Sequence, residues 1–254
     1  MKYGIFGDIH ANLTALRAVH AELIKRGAEK FLSVGDIVGY GPRPSETIAF
    51  VREINAEVVK GNHDAAVMSD KILHDFSRHA FEGIMFTRTA LSAEEKRWLS
   101  TRPHEIVTEH IHLCHGELVR PESFNYVLDD FSRELCMDAG KAQMCVIGHT
   151  HLPEICTMRA IIPEDVWADR IVHFDIKELY SKGEFKCDVS ALFRVLVNVG
   201  SVGQPRDKDA RAVGTVIDTE AETISMFRVA YDVEAEIALS LAKGLNNQRL
   251  RAGV

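Results

Sequence analysis

Five short apolar runs in this chain end in glycine followed by, or close to, a carboxylate, an amide or an imidazole. That recurrence narrows the fold more than any other feature. Residues 1–6 run into Gly7-Asp8-Ile9-His10, 31–34 into Gly35-Asp36, and 57–60 into Gly61-Asn62-His63-Asp64. The run up to Leu113 delivers Cys114-His115-Gly116, and 142–147 delivers Gly148-His149-Thr150-His151. A polar side chain at the carboxyl end of a buried strand is pushed into the crevice where open α/β sheets bind ligands. Asp36, in the stretch SVGDIVGYG, is the natural centre of this set, because one carboxylate can bridge two cations.

The segments between these runs fit the same scheme. Asn12 caps a helix with Leu13, Leu16, Val19 and Leu23 on one face, and Gly27 stops it. Pro44 and Ser45 open a second helix carrying Ile48, Val51 and Ile54. Strand–helix–strand–helix–strand at this spacing is the start of a parallel α/β sheet with right-handed crossovers. Residues 65–102 read as helical, with Ser92 and Glu95 at capping-box spacing. Residues 105–113 alternate like one strand, 131–139 read as a short helix, and the chain after Pro153 reads as mostly β. A last helix begins near Val233 and is expected to fray into a polar tail over 246–254. Two sheets packed face to face with helices outside both would use every element. No linker splits the chain, so one domain over 1–254 is expected, with 154–197 a β extension over the site or a subunit contact.

Composition excludes several classes. Hydrophobic residues make up 46% and charged residues 26% of 254 positions, as in ordinary globular proteins. The formal net charge of -7 argues against a broad basic surface for nucleic acid, though it allows a local basic pocket. No stretch reaches membrane-span length. Five scattered cysteines without CxxC spacing read as reduced thiols of a cytoplasmic protein. These features are compatible with a homo-oligomer.

Five of the twelve histidines, at 10, 63, 115, 149 and 151, follow strands beside a glycine or carboxylate. Asp8 and His10 lie two residues apart, on one side of an extended segment, and so do His149 and His151. Asn62 offers a neutral oxygen, and His63 points elsewhere on an extended chain. Asp, His and Asn together suit manganese, iron, zinc, cobalt or nickel rather than a thiolate zinc site. Residues 200–203 (GSVG) form a small-residue loop whose backbone N–H groups could face an anion beside Arg206; a plain strand-to-loop turn fits equally well.

The ordered set D-x-H, GD, GNHD, HG, GHTH resembles the calcineurin-like metallophosphoesterase superfamily over roughly the whole chain. The resemblance implies a four-layer αββα sandwich, two mixed β-sheets flanked by helices, with a dinuclear centre at the strand ends. By position it implies that Asp8, His10, Asp36 and His151 hold one divalent metal. Asp36, Asn62, His115 and His149 would hold the second, with His63 the catalytic, non-ligand histidine. Many members carry a second Asp three residues after the bridging one, where this chain has Gly39. Such a centre, manganese foremost, provides a metal-bridging hydroxide and a positive field for a phosphoryl group.

A narrower resemblance is to the YfcE-like phosphodiesterases and relatives that cleave diadenosine polyphosphates, carried by GDIVGYGPRPSE, GNHD, GHTHLP, VNVGSVGQPRD and YDVEAE. It implies a phosphodiester or nucleotide substrate. Tyr40, Arg43, Gly200, Ser201 and Arg206 are then the expected substrate contacts, through stacking, guanidinium–phosphate pairs and backbone donors. Two other readings compete. A phosphoprotein phosphatase would share the centre, but its further signatures are not evident. A non-catalytic scaffold, like the related retromer subunit, would be expected to have lost ligands, and here all eight positions are filled.

Overall fold

The computed structural model describes residues 1–158, 170–190 and 193–253. The first sheet begins with β1 (Lys2–Phe6), β2 (Lys30–Ser33) and β3 (Glu57–Val58), all parallel. Between them run α1 (Leu13–Lys25) and α2 (Pro44–Glu53); α3 (Asn62–Ala66), α4 (Arg78–Ala90) and α5 (Ala93–Ser100) follow. The chain then builds the second sheet from β4 (Glu105–Val107), β5 (Ile111–Cys114), α6 (Asp130–Ala139), β6 (Met144–Ile147), β7 (Pro153–Met158) and β8 (Ile171–His173). After α7 (Lys177–Ser181), β9 (Glu184–Asp188) returns to the first sheet and β10 (Arg194–Val199) to the second. β11 (Ala212–Asp218), β12 (Thr223–Val229) and α8 (Val233–Ala242) complete the order.

Two six-stranded mixed sheets result, ordered β3-β2-β1-β11-β12-β9 and β4-β5-β6-β10-β7-β8. Their central strands, such as β1, β6, β10 and β11, are buried on both faces, whereas the edge strand β9 alternates. Tyr3, Ile5, Met144, Val146, Val195 and Val197 point into the core between the sheets. Phe6 points the other way, onto Leu16, Val19 and Leu23 of α1. Cys145, Ile147 and Leu196 point outward onto Cys136 and Met137 of α6. Three apolar interfaces among helix, sheet, sheet and helix make the four layers that the motifs imply. Burial pushes the thiols of Cys136 and Cys145 up to about 12, so they pack as small apolar groups.

Local signals explain the boundaries. The Asn12 side chain accepts from the Ala15 N–H at 3.1 Å, capping α1. Ser92 and Glu95 form the reciprocal capping box at 3.2 and 2.8 Å.

Three expectations change. Residues 105–113 are not one strand but an antiparallel hairpin, because the Thr108 hydroxyl accepts from the Ile111 N–H at 3.0 Å and closes a turn at Glu109-His110. Asn62-His63 is not extended. It opens α3, because Asp64 accepts from the Gly61 N–H at 3.1 Å. The polar tail does not fray: Gln248–Arg251 is a 3-10 turn, with Asn247 and Leu250 buried. Within 154–197, β8 and β9 each form an edge of one of the two sheets, β7 lies between β10 and β8, and residues 159–162 of the expected strand lie outside the described residues.

Candidate metal centre

The parallel strands of both sheets end at one rim, and the loops leaving them converge. β1 delivers Asp8 and His10, β2 delivers Asp36 and Tyr40, and β3 delivers Asn62 and His63. β5 delivers His115, and β6 delivers His149 and His151. All of these except Asn62 are buried. Six of them, Asp8, His10, Asp36, Tyr40, His149 and His151, have φ between 48° and 69°. This left-handed conformation, which Asp and His tolerate better than bulky or branched residues, turns each strand end sharply inward. Backbone bonds lock the turns: the Asp36 carbonyl accepts from both Ile9 and His10 N–H at 2.9 Å, and Asp8 N–H donates to Gly35 at 3.0 Å.

The carboxylates are held from one side. Asp8 Oδ2 accepts from the His149 N–H at 3.0 Å, and Asp36 Oδ1 from the His63 N–H at 2.9 Å. A Cβ on Gly148 would lie 2.4 Å from Asp8 Oδ2, so this approach requires glycine. The other carboxylate oxygens face the histidines. Asp8 Oδ1 lies 3.2 Å from His151 Nε2, and Asp36 Oδ2 lies 3.6 Å from His10 Nε2 and 3.5 Å from His115 Nε2.

Proton bookkeeping in this knot points to cations. The Nδ1 atoms of His10, His115 and His151 face the carbonyls of Val38, Val34 and Gln204 at 3.2, 2.8 and 2.6 Å. A carbonyl only accepts, so each Nδ1 carries the proton and each neutral ring turns its Nε2 lone pair inward. The Nε2 atoms of His10 and His151 are then two lone pairs 3.1 Å apart. His115 Nε2 lies 3.0 Å from Asn62 Oδ1 and 3.0 Å from His149 Nδ1, and Asp8 Oδ1 has no hydrogen-bond partner. Buried acceptors crowded together with too few donors are costly unless a positive charge joins them. Histidine nitrogens fixed by carbonyls behind them are the usual arrangement around a metal. The donor set therefore fits metal ions, and Asp8-His10-His151 and Asp36-His115-His149 are each close enough to hold one.

Titration tendencies agree. Burial raises Asp8 to about 6 and pushes Asp36 well above the ordinary carboxylate range, with Asp64 and Asp8 adding to the latter. Burial likewise drives His10, His63, His149 and His151 well below the usual imidazole range, so these rings are neutral donors.

His63 lines the cleft with its ring 4.7 Å from both Tyr40 and Phe76. Its Nδ1 has no hydrogen-bond partner and faces Gly39, where a Cβ would stand 2.2 Å away. The missing side chain at Gly39 thus gives the imidazole its room. A third cluster, His10-Asp36-His63, also has ligand spacing.

Of the expected substrate contacts, Tyr40 and Arg206 line the cleft. Arg43 does not. Its guanidinium is taken by the buried carboxylate of Glu236 and by Thr14, on the far side of the β1–α1 loop. Gly200 and Ser201 also do not line it. The loop's N–H groups are used internally: Gly200 donates to Asn198 Oδ1 at 3.2 Å, Val202 to Gly7 at 3.0 Å and Gly203 to Asp8 at 2.9 Å. The Ser201 hydroxyl also donates to the Asp8 carbonyl at 2.8 Å. This loop braces Asp8 rather than presenting donors to an anion.

Sequence reasoning missed several residues here. Asp64 ties the β2–α2 loop to α3, accepting from Ile37 and Gly61 at 2.9 and 3.1 Å. Tyr126 stacks on His149 with centroids 3.8 Å apart. His79 and Arg249 complete the wall. Only Asp64, inside GNHD, carried a local signal.

Known proteins resemble this chain in sequence and fold. The calcineurin-like phosphoesterase superfamily domain matches residues 1–222. Protein MJ0912 of Methanocaldococcus jannaschii is 28% identical over 234 residues, covering 91% of this chain and 88% of that one. A metallophosphoesterase from Sphaerobacter thermophilus has a structure similar over 100% of both chains, at 30% identity and a TM-score of 0.82. A shorter stretch of 68 residues, 26% of this chain and 25% of the other, is 34% identical to the symmetrical bis(5'-nucleosyl)-tetraphosphatase of Psychromonas ingrahamii. The chain belongs to the calcineurin-like phosphoesterase superfamily, a family of metal-dependent phosphoric ester hydrolases.

Proposed function

We propose that the cleft holds two divalent cations, manganese foremost and iron, zinc, cobalt or nickel next, and hydrolyses a phosphodiester or dinucleoside polyphosphate. Asp8, His10, Asp36 and His151 would hold one ion, and Asp36, Asn62, His115 and His149 the other. The observation that carries this reading is the placement of Asp36 Oδ2, 3.6 Å from His10 Nε2 and 3.5 Å from His115 Nε2, between two groups of inward lone pairs. Bound there, the ions supply an activated water and neutralise charge on the phosphoryl group.

The chain's own residues do the rest. His63, clamped between Tyr40 and Phe76, stands at the cleft wall as a neutral imidazole. A phosphate anion beside it favours the imidazolium, from which a proton passes to the leaving oxygen. Arg206, free of any carboxylate partner among the described residues, offers its guanidinium to a phosphate oxygen. Tyr40 and Tyr126 offer aromatic faces to a base. The tetraphosphatase similarity favours a nucleotide over a small ester.

The test is a purified-protein screen with manganese against a generic nitrophenyl diester, a phosphomonoester, cyclic nucleotides and diadenosine tetraphosphate. Metal-dependent cleavage of the diester and the tetraphosphate, abolished by a chelator, is expected. Preference for the monoester, or turnover indifferent to chelation, would overturn the reading. The His10-Asp36-His63 spacing supports a second reading with His63 as a ligand. Metal content of His63→Ala separates the two.

A further inference from the structure

The cleft does not stop at the ligand cluster. Its wall includes Ser77, His79, Arg206 and Arg249, and an outer hollow of about 560 Å³ continues from it, sharing Ser77, His79 and Arg249. The inner hollow alone is about 300 Å³, which at the liquid's volume per molecule corresponds to about ten waters. That is more room than one phosphoryl group fills, and it leads away from the metal ligands.

Arg249 reaches this wall from outside the matched family domain, which ends at residue 222. The turn that carries it is fastened on both sides. The Asn247 amide donates to the Tyr40 carbonyl at 3.0 Å and the Ser240 hydroxyl at 2.9 Å, and Leu245 and Leu250 are buried. The Gly253 carbonyl accepts from the Lys208 N–H at 2.9 Å, and Arg251 pairs with Glu234 at 2.7 and 2.6 Å. A turn tied to the loop of the central carboxylate fixes the backbone that carries Arg249 relative to the ligands, and the side chain itself is exposed to the channel.

The charge around it is unbalanced. Arg43, Arg228 and Arg251 are each matched with a carboxylate, whereas among the described residues neither Arg249 nor Arg206 forms an ion pair. The acids on these walls besides Asp36 are Asp75, beside His74 at 3.2 Å, and Glu82, held by Arg78 at 2.8 Å. The amino end of α4, with no acid in its first turn, lies in the same wall through Ser77 and His79. Two guanidiniums without a carboxylate partner among the described residues, Arg206 donating to the Gln204 amide oxygen at 3.3 Å, and a helix amino end along one channel suit phosphate oxygens.

We propose that Arg249, with Arg206, forms a second anion subsite that takes phosphates lying beyond the scissile one, so that the C-terminal turn selects polyphosphorylated substrates. The inference rests on the phosphoesterase reading of the metal centre and adds a specificity residue to it.

The test compares wild type, Arg249→Ala and Arg249→Lys as full-length, metal-loaded proteins. For diadenosine tetraphosphate, Arg249→Ala should raise KM about tenfold, the low end for a charge-assisted hydrogen bond. Its kcat and metal content should be unchanged, its kinetics on bis(p-nitrophenyl) phosphate should shift less than about twofold, and Arg249→Lys should fall between. Calorimetry with inorganic tripolyphosphate should show the same loss of affinity, while orthophosphate binding should not change. Equal effects on both esters, or none on either, would overturn the subsite. If wild type cleaves neither ester, the reading of the metal centre fails, and the tripolyphosphate titration still decides for or against Arg249.

Discussion

Metal affinity should rise with pH in a window set by Asp8. In the metal-free protein burial raises this carboxyl to about 6, so a cation must displace its proton below that pH. With a pKa near 6, the carboxylate fraction is about 0.09 at pH 5 and about 0.91 at pH 7, a tenfold change worth about 1.4 kcal/mol. Asp36, raised further by burial and by its acidic neighbours, adds in the same direction. His10 and His151, held well below the usual imidazole range, add little. Stability of the metal-free fold carries the opposite sign. Between the ordinary 3.8 and about 6 the native state keeps a proton that the unfolded chain has released, so Asp8 alone lowers stability by about 3 kcal/mol as pH rises through that window. Added metal should therefore raise the Tm more at pH 7 than at pH 5. Calorimetric titration of manganese at pH 5, 6 and 7 should show at least a tenfold rise in affinity, and Asp8→Asn should make the rise shallower, leaving the part that Asp36 contributes. Affinity that stays level from pH 5 to 7 would refute the reasoning, because buried carboxyls that release protons on binding cannot produce it.

Three other outcomes follow from the geometry. Asp36→Asn should lose both ions and all hydrolysis, while His151→Ala should weaken mainly one; elemental analysis showing two retained ions in Asp36→Asn would remove the bridging assignment. His63→Ala should keep its metals yet lose roughly 10²–10⁴ in kcat, less for a nitrophenol leaving group that needs little protonation. Arg43→Ala should leave KM unchanged but destabilise the fold by about 3 kcal/mol, because it strands the buried Glu236 carboxylate. A selective rise in KM would return Arg43 to the substrate pocket.

The sequence was most informative where chemistry and strand period coincide. Asp8, Asp36, Asn62, His115, His149 and His151 could be placed at one rim because each follows an apolar run, and parallel strands end together. The four layers followed from the same runs, since strands such as 142–147 are apolar on both faces. What stayed hidden depends on long-range partners. Arg43 stands beside Tyr40 in sequence, but a carboxylate 193 positions away claims it. Gly200 to Gly203 look like an anion nest until Asn198, Gly7 and Asp8 are seen to take the N–H groups of Gly200, Val202 and Gly203. Arg249 sits in a stretch whose polarity reads as solvated tail, and only the burial of Asn247 and Leu250 reveals that it folds back.

The left-handed turns at the ligands bear on how the site works. A non-glycine residue in that region costs on the order of 1 kcal/mol, somewhat less for Asp and His, and Asp8, His10, Asp36, His149 and His151 all adopt it. The fold holds them there through bonds that do not depend on metal: Gly35 and Asp36 carbonyls on the β1–α1 loop, the Ser201 hydroxyl on Asp8, and Val34, Val38 and Gln204 behind the imidazoles. Strain and lone-pair crowding are therefore present before any cation arrives. A site whose ligands are already placed loses little conformational entropy on binding, so more of the coordination energy appears as affinity. On the proposed reading of the cleft, the same rigidity would fix the position of the phosphoryl group relative to His63 and Arg206, and this positioning would be the protein's own contribution to a reaction whose charge stabilisation comes from bound metal.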